Sequence, residues 1–146
     1  MSWESSIKGF KSYLQIERSL SDNSVQAYIR DIKKFANYAI PLKLNELKIQ
    51  RKNISDFLAE LKDDGIAARS QARIISGIKA FYKYLIIEDY IKHDPTELIE
   101  SPKVGFKLPD TLSLIEIDKL ISAVDLSNKQ GERNRAILET LYSCGL

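Results

Sequence analysis

Residues 68–88 read ARSQARIISGIKAFYKYLIIE, and this stretch decides the fold. Ile74, Ile75, Ile78, Phe81, Leu85 and Ile86 recur at three- and four-residue steps, which gathers them on one face of an α-helix. Arg69, Arg73, Ser76, Ala80 and Lys83 follow i, i+4, i+7, i+11 and i+14 on the opposite face, with Lys79 beside them. Residues 65–87 contain no Asp or Glu. So long an amphipathic helix must bury its apolar face on neighbouring elements.

Those neighbours read as helices too. Upstream, Gly65 ends a helix over about residues 54–63, in which Ile54, Phe57, Leu58 and Leu61 share a face. A connector with Leu42, Leu44 and Leu47 precedes it, after Pro41 has stopped another helix. That helix begins after the capping candidates Ser21 and Asn23 and buries Val25, Ile29, Ile32, Phe35, Ala36 and Ala39. A first helix carries Trp3, Ile7, Phe10, Leu14 and Ile16 and should end near Ser19. Downstream, a short helical turn is expected after Pro95. No stretch alternates in the manner of a half-buried strand, so the expected class is all-α.

Residues 101–110 read SPKVGFKLPD, with two Pro and one Gly and no helical period, and mark a domain boundary. Beyond it Ser113 and Glu116 have the spacing of a capping box ahead of Leu114, Ile117, Leu120 and Ile121. A last helix is expected over about residues 132–144. The expected domains are residues 1–100, a linker over 101–112, and 113–146. The last is too short for a core of its own, so the chain is read as stopping inside a second domain.

The 146 residues are 44% hydrophobic and 29% charged, which excludes collagen-like and disordered classes. With one Cys (Cys144) and one His (His93), neither an internal disulfide nor a Cys/His metal site is expected. No window suits a membrane span, and the first residues do not resemble a signal peptide, so a cytoplasmic protein is expected. Residues 1–87 carry 15 Lys or Arg against 9 Asp or Glu, a net +6, while 88–146 carry 7 against 11, a net −4, together the +2 of the chain.

Besides the basic face on residues 68–88, Gln26, Arg30, Lys33 and Asn37 share a face of the second helix, with Lys34 adjacent. Asn23 and Ser24 lie at its positive N-terminal end, where phosphate binds well. Cations that track phosphates, mixed with amides and guanidinium forks that read base edges, are what a duplex reader needs. The bland alternative is a solvated surface.

The same residues carry a family resemblance. The segment 24–32 (SVQAYIRDI) with Phe35, the segment 70–85 with Arg73, Ile78, Phe81, Tyr82 and Tyr84, and the first helix with Phe10, Tyr13, Leu14 and the 21–24 cap all take part. Further on come Asp94-Pro95, Ser101-Pro102-Lys103, Leu108-Pro109, Leu112-Ser113 with Ile117, then GERNRAIL at 131–138 and LYSCGL at 141–146. Taken together the chain resembles the N-terminal core-binding domain of tyrosine recombinases (phage integrases) of the Xer type, with the start of the catalytic domain attached.

The resemblance implies a four-to-five-helix SAM-like bundle, a linker, and the first two helices of a truncated catalytic domain. It also implies a parent enzyme that breaks and rejoins DNA through a 3′-phosphotyrosyl link, without metal or nucleotide cofactor, in chromosome dimer resolution or mobile-element integration. The implied partners are double-stranded DNA and, at full length, other recombinase subunits in a tetramer, with no membrane and no small-molecule substrate. In the family the first catalytic arginine follows the Gly-Leu matching Gly145-Leu146, so no catalytic residue is assigned and the chain alone should not cleave DNA. DNA contact is carried over to Ser24, Arg30, Lys34, Arg69, Arg73, Lys79 and Lys83. A noncatalytic helical DNA-binding regulator and a helical protein-interaction module remain the alternatives.

Asp31 reads as the partner of Lys34 or another nearby cation in preference to a catalytic acid. Glu132 with Arg133 and Arg135 reads as surface charge at a helix start in preference to a phosphate clamp, His93 as a loop residue, and Cys144 as a small core residue. The aromatics Phe35, Tyr38, Phe81, Tyr82 and Tyr84 read first as core, with a hydroxyl of Tyr82 or Tyr84 directed at phosphate as the alternative.

Overall fold

In a computed structural model the described residues are 2–103, 105 and 110–145, so Leu108, Pro109 and Leu146 of the resemblance lie outside them. Among the described residues there are six α-helices and no strand. The chain divides into two compact units, Met1–Gly105 and Phe106–Leu146.

The first unit holds α1 (Trp3–Ile16), α2 (Asp22–Ala39), a 3-10 turn (Glu46–Lys48), α3 (Arg51–Asp63) and α4 (Ala68–Ile87). Each terminus has a local cause. The Ser21 hydroxyl caps α2 by accepting from the Ser24 amide. The α1 helix stops at Ile16, short of the expected Ser19, because the chain turns left-handed at Ser19 (φ 48°) and the Leu20 amide closes back on the Leu14 carbonyl at 3.1 Å. Ile16, the last residue of α1, is exposed. Gly65, at φ 74°, ends α3 as its position suggested. The α3 helix starts at Arg51, three residues before the first stripe residue Ile54, where the Gln50 amide donates to Asn53 Oδ1 at 2.9 Å. From Pro95 the chain makes a turn, the Glu97 amide donating to the Asp94 carbonyl and the Ile99 amide to the Thr96 carbonyl, and the Asp94 carboxylate accepts from the amide and hydroxyl of Thr96.

Aromatic rings fill the middle of this unit. Phe81 is wholly buried, stacked on Trp3 at 6.0 Å and edge-on to Phe10 at 5.4 Å and Tyr82 at 5.4 Å. Trp3 donates its indole N–H to the Leu44 carbonyl at 3.0 Å, tying the start of the chain to the connector. Glu46, an acid in the connector, is also buried and accepts from the Ser6 hydroxyl at 3.2 Å. Tyr82 and Tyr84 are buried on α4, whereas Ile86, expected in the core, is only half-buried.

The α2 and α4 helices pack closely at Gly77. A methyl group there would stand 2.7 Å from the Asp31 Cβ. Gly77→Ala is therefore expected to force the helices apart, costing about 1–3 kcal/mol in urea unfolding. An unchanged midpoint would show that the crossing yields freely.

The second unit holds α5 (Leu114–Ser122), capped by reciprocal bonds between Ser113 and Glu116, and α6 (Gly131–Cys144). Side-chain room is absent at Gly131, where a Cβ would collide with the Asp125 carbonyl oxygen. Within this unit Leu114, Leu120, Ile137 and Leu141 are exposed, and Ile117 and Ile121 are half-buried. Two short helices offer too little surface to enclose their own stripes. Cys144, expected as a core residue, is exposed for the same reason.

Candidate nucleic-acid interface

The α2 and α4 helices meet along a seam joined by one ion pair, whose acid alone is buried. Arg73 donates from Nη1 to both carboxylate oxygens of Asp31, each at 2.6 Å. The carboxylate side is 4% exposed and the guanidinium side 52% exposed, so the acid lies inside and the base reaches the surface. The partner of Asp31 is thus Arg73 from the neighbouring helix, and Lys34 stands close by without a direct bond. Burial pushes the Asp31 carboxyl above its ordinary value, while Arg73 and then Arg30 and Lys34 pull it back.

Above the pair is a shallow cavity of about 220 Å³ lined by Ser24, Ala27, Tyr28, Asp31, Arg73 and Ser76. The structure therefore brings Ser24 and Arg73, two of the residues carried over for DNA contact, to one opening. The Ser24 hydroxyl also faces that of Ser21 at 3.1 Å. Arg30 and Lys34 are exposed on the α2 side, Arg69 and Lys83 are exposed on α4, and Lys79 is half-buried. None of these five cations makes an ion pair among the described residues. At 1.5 Å rise per residue, Arg69 to Lys83 spans roughly 21 Å of helix.

Not every expected residue joins this seam. Gln26 and Lys33 turn the other way, into a groove shared with Glu4, Lys8 and Lys11 of α1. Tyr82 is fully buried and donates its hydroxyl to the Glu46 carbonyl at 3.3 Å, so it is not directed at phosphate. Burial, then Glu46 and Asp94, hold that phenol far above its ordinary value, leaving it a neutral donor. Tyr84 is also in the core, its hydroxyl seated against Gly9. In the second unit Arg135 pairs with Glu139 one turn on, at 2.8 Å, and does not form a clamp with Arg133 and Glu132. Among the described residues no group of acids, His and Cys is placed to hold a metal ion, and no helix is long and apolar enough to cross a membrane.

The fold and seam define a small helical bundle with a cationic surface built on two crossing helices. Residues 7–89 match the family described as the phage integrase N-terminal SAM-like domain, and the chain belongs to that family. It is 41% identical over 144 residues to tyrosine recombinase XerD of Staphylococcus haemolyticus strain JCSC1435, an alignment that takes in 98% of this chain and 49% of the relative. Identity to tyrosine recombinase XerD of Staphylococcus aureus strain Mu50 is 40%, again over 98% of this chain and 49% of the relative. The chain thus spans about half the length of the curated relatives it matches. Among solved structures, the integrase from mycobacterium phage Brujita superposes with a TM-score of 0.62 at 19% identity, covering 82% of this chain and 39% of that one. At that identity the likeness speaks for the fold alone.

Proposed function

We propose that this chain is the DNA-binding N-terminal part of a tyrosine site-specific recombinase, in which α2 and α4 lie against the duplex and hold it for strand exchange. The observation that carries this reading is the surface of α2 and α4: Arg30 and Lys34 on the one helix and Arg69, Lys79 and Lys83 on the other are without carboxylate partners among the described residues, and Ser24 and Arg73 border one opening between the same two helices. A surface meant only for solubility would mix in acids, yet residues 65–87 have none. The 40–41% identity to tyrosine recombinases along nearly the whole chain supports the same reading.

In this reading residues 1–100 form the DNA-holding domain, 101–112 the linker, and 113–146 the entry to a catalytic domain whose own residues cut and rejoin the strand. Double-stranded DNA is the partner of the seam. Other recombinase subunits are the partners of the assembled enzyme, in chromosome dimer resolution or mobile-element integration.

The test is fluorescence anisotropy on a labelled duplex of about 30 base pairs across a salt series. Each phosphate neutralised contributes about −0.9 to the slope of log affinity against log salt. Four or five engaged cations therefore give a slope of roughly −4, and Arg69→Ala is expected to make it shallower by about one. Arg73→Ala should also weaken binding, but it strips a buried acid of its partner, so its melting curve must be recorded beside it. Absence of binding at 50 mM salt would overturn the reading.

A further inference from the structure

The seam contains one acid where a polyanion would bind, and its geometry gives that acid a purpose. Asp31 occupies a single nitrogen of Arg73, Nη1, with both of its oxygens. The other donors of the guanidinium, Nε and Nη2, make no hydrogen bond among the described residues. The side chain is half exposed and borders the opening between α2 and α4. A free arginine samples many rotamers and acts on DNA as a mobile charge. One held at Nη1 by a buried carboxylate, at a crossing so close that a methyl group on Gly77 would stand 2.7 Å from the Asp31 Cβ, presents its Nε–Nη2 edge in one direction.

Resting on the DNA-binding reading above, we propose that Asp31 is a positioning residue that fixes Arg73 so that its free Nε–Nη2 fork reads a base edge in the major groove, guanine being the base whose paired acceptors fit that fork. Arg30, Lys34, Arg69 and Lys83 supply affinity that is indifferent to sequence; Arg73 supplies discrimination. Asp31 lowers the net charge of the seam, a cost in non-specific attraction that is offset by direction.

The experiment uses the whole chain and a pool of 30-base-pair duplexes randomised over the central positions, with the bound fraction sequenced and its salt slope measured by anisotropy. The unaltered chain is expected to enrich guanine at one position roughly 5- to 150-fold. Asp31→Asn should bring that enrichment close to one while leaving the salt slope equal or steeper, since a carboxylate has been removed. Arg73→Lys, which keeps the charge and a partner for Asp31 but lacks the fork, should likewise abolish the preference and keep the slope. Combining Asp31→Asn with Arg73→Ala should add nothing to Arg73→Ala alone. Full guanine preference in either Asp31→Asn or Arg73→Lys would overturn the assignment, as would salt-steep binding of the unaltered chain with no Arg73-dependent preference; both leave the DNA-binding reading intact. No binding by the unaltered chain at 50 mM salt would remove that reading and this assignment together.

Discussion

Phe81→Ala is expected to cost about 3–5 kcal/mol of folding stability, read as a lower urea midpoint of the whole chain. The ring is wholly buried and meets Trp3, Phe10, Tyr82 and Tyr84, so it joins α4 to α1 and to its own next turn. Removing it leaves a void that its neighbours cannot easily fill. Trp3 is tethered through its indole N–H to the Leu44 carbonyl, and Tyr82 through its hydroxyl to the Glu46 carbonyl. Rings held at their far ends do not slide into a cavity, which places the expected loss at the upper part of the usual range for an aromatic truncation. Against a typical total of 5–15 kcal/mol, such a loss takes away a large share of the folded population's margin. A loss below about 1.5 kcal/mol would mean that the cluster collapses around the gap and that the tethers yield.

The same residue shows why so much of the fold was legible in the sequence. Phe81 sits at a helical step from Ile74, Ile78 and Leu85, and a periodic apolar stripe states both the element and its inner face. The stripe of α2 was equally plain: every residue expected inside, from Val25 to Ala39, is buried. What periodicity does not carry is contact across the fold. Asp31 and Arg73 are 42 residues apart, and their pairing depends on where two helices cross. One clue was available: Gly77 lies mid-helix, where Gly costs about 1 kcal/mol relative to Ala, and such a residue is kept where another backbone comes close. Glu46 was missed because an acid in a polar connector looks solvated, and only the packing of Ser6 and Tyr82 around it reveals a buried position. Gln26 and Lys33 were grouped with Arg30 by helical spacing alone, whereas the packing of α1 against α2 assigns them to another groove. Spacing defines a face of one helix; which part of that face remains open is decided by the neighbour.

For the same reason the cleanest functional result is expected from cations that no ion pair or hydrogen bond ties to the fold. Arg30 and Lys34 are exposed on α2 and make no hydrogen bond or ion pair among the described residues, in contrast to Arg73. The double variant Arg30→Gln, Lys34→Gln should melt as the unaltered chain does. If both side chains meet phosphates, their loss removes about 1.8 from the magnitude of the logarithmic salt slope. Extrapolated to 0.1 M salt, that is a roughly 60-fold weaker affinity, shrinking as salt rises. The base preference assigned to Arg73 should persist, because neither substitution removes Asp31. With two nearby cations gone, the pull on the Asp31 carboxyl toward its charged form weakens slightly, while Arg73, the larger opponent of burial, stays in place. A shallower slope with the preference retained would separate attraction from readout on one surface. An unchanged slope would place the duplex elsewhere on the chain and leave the α2 side of the seam facing solvent.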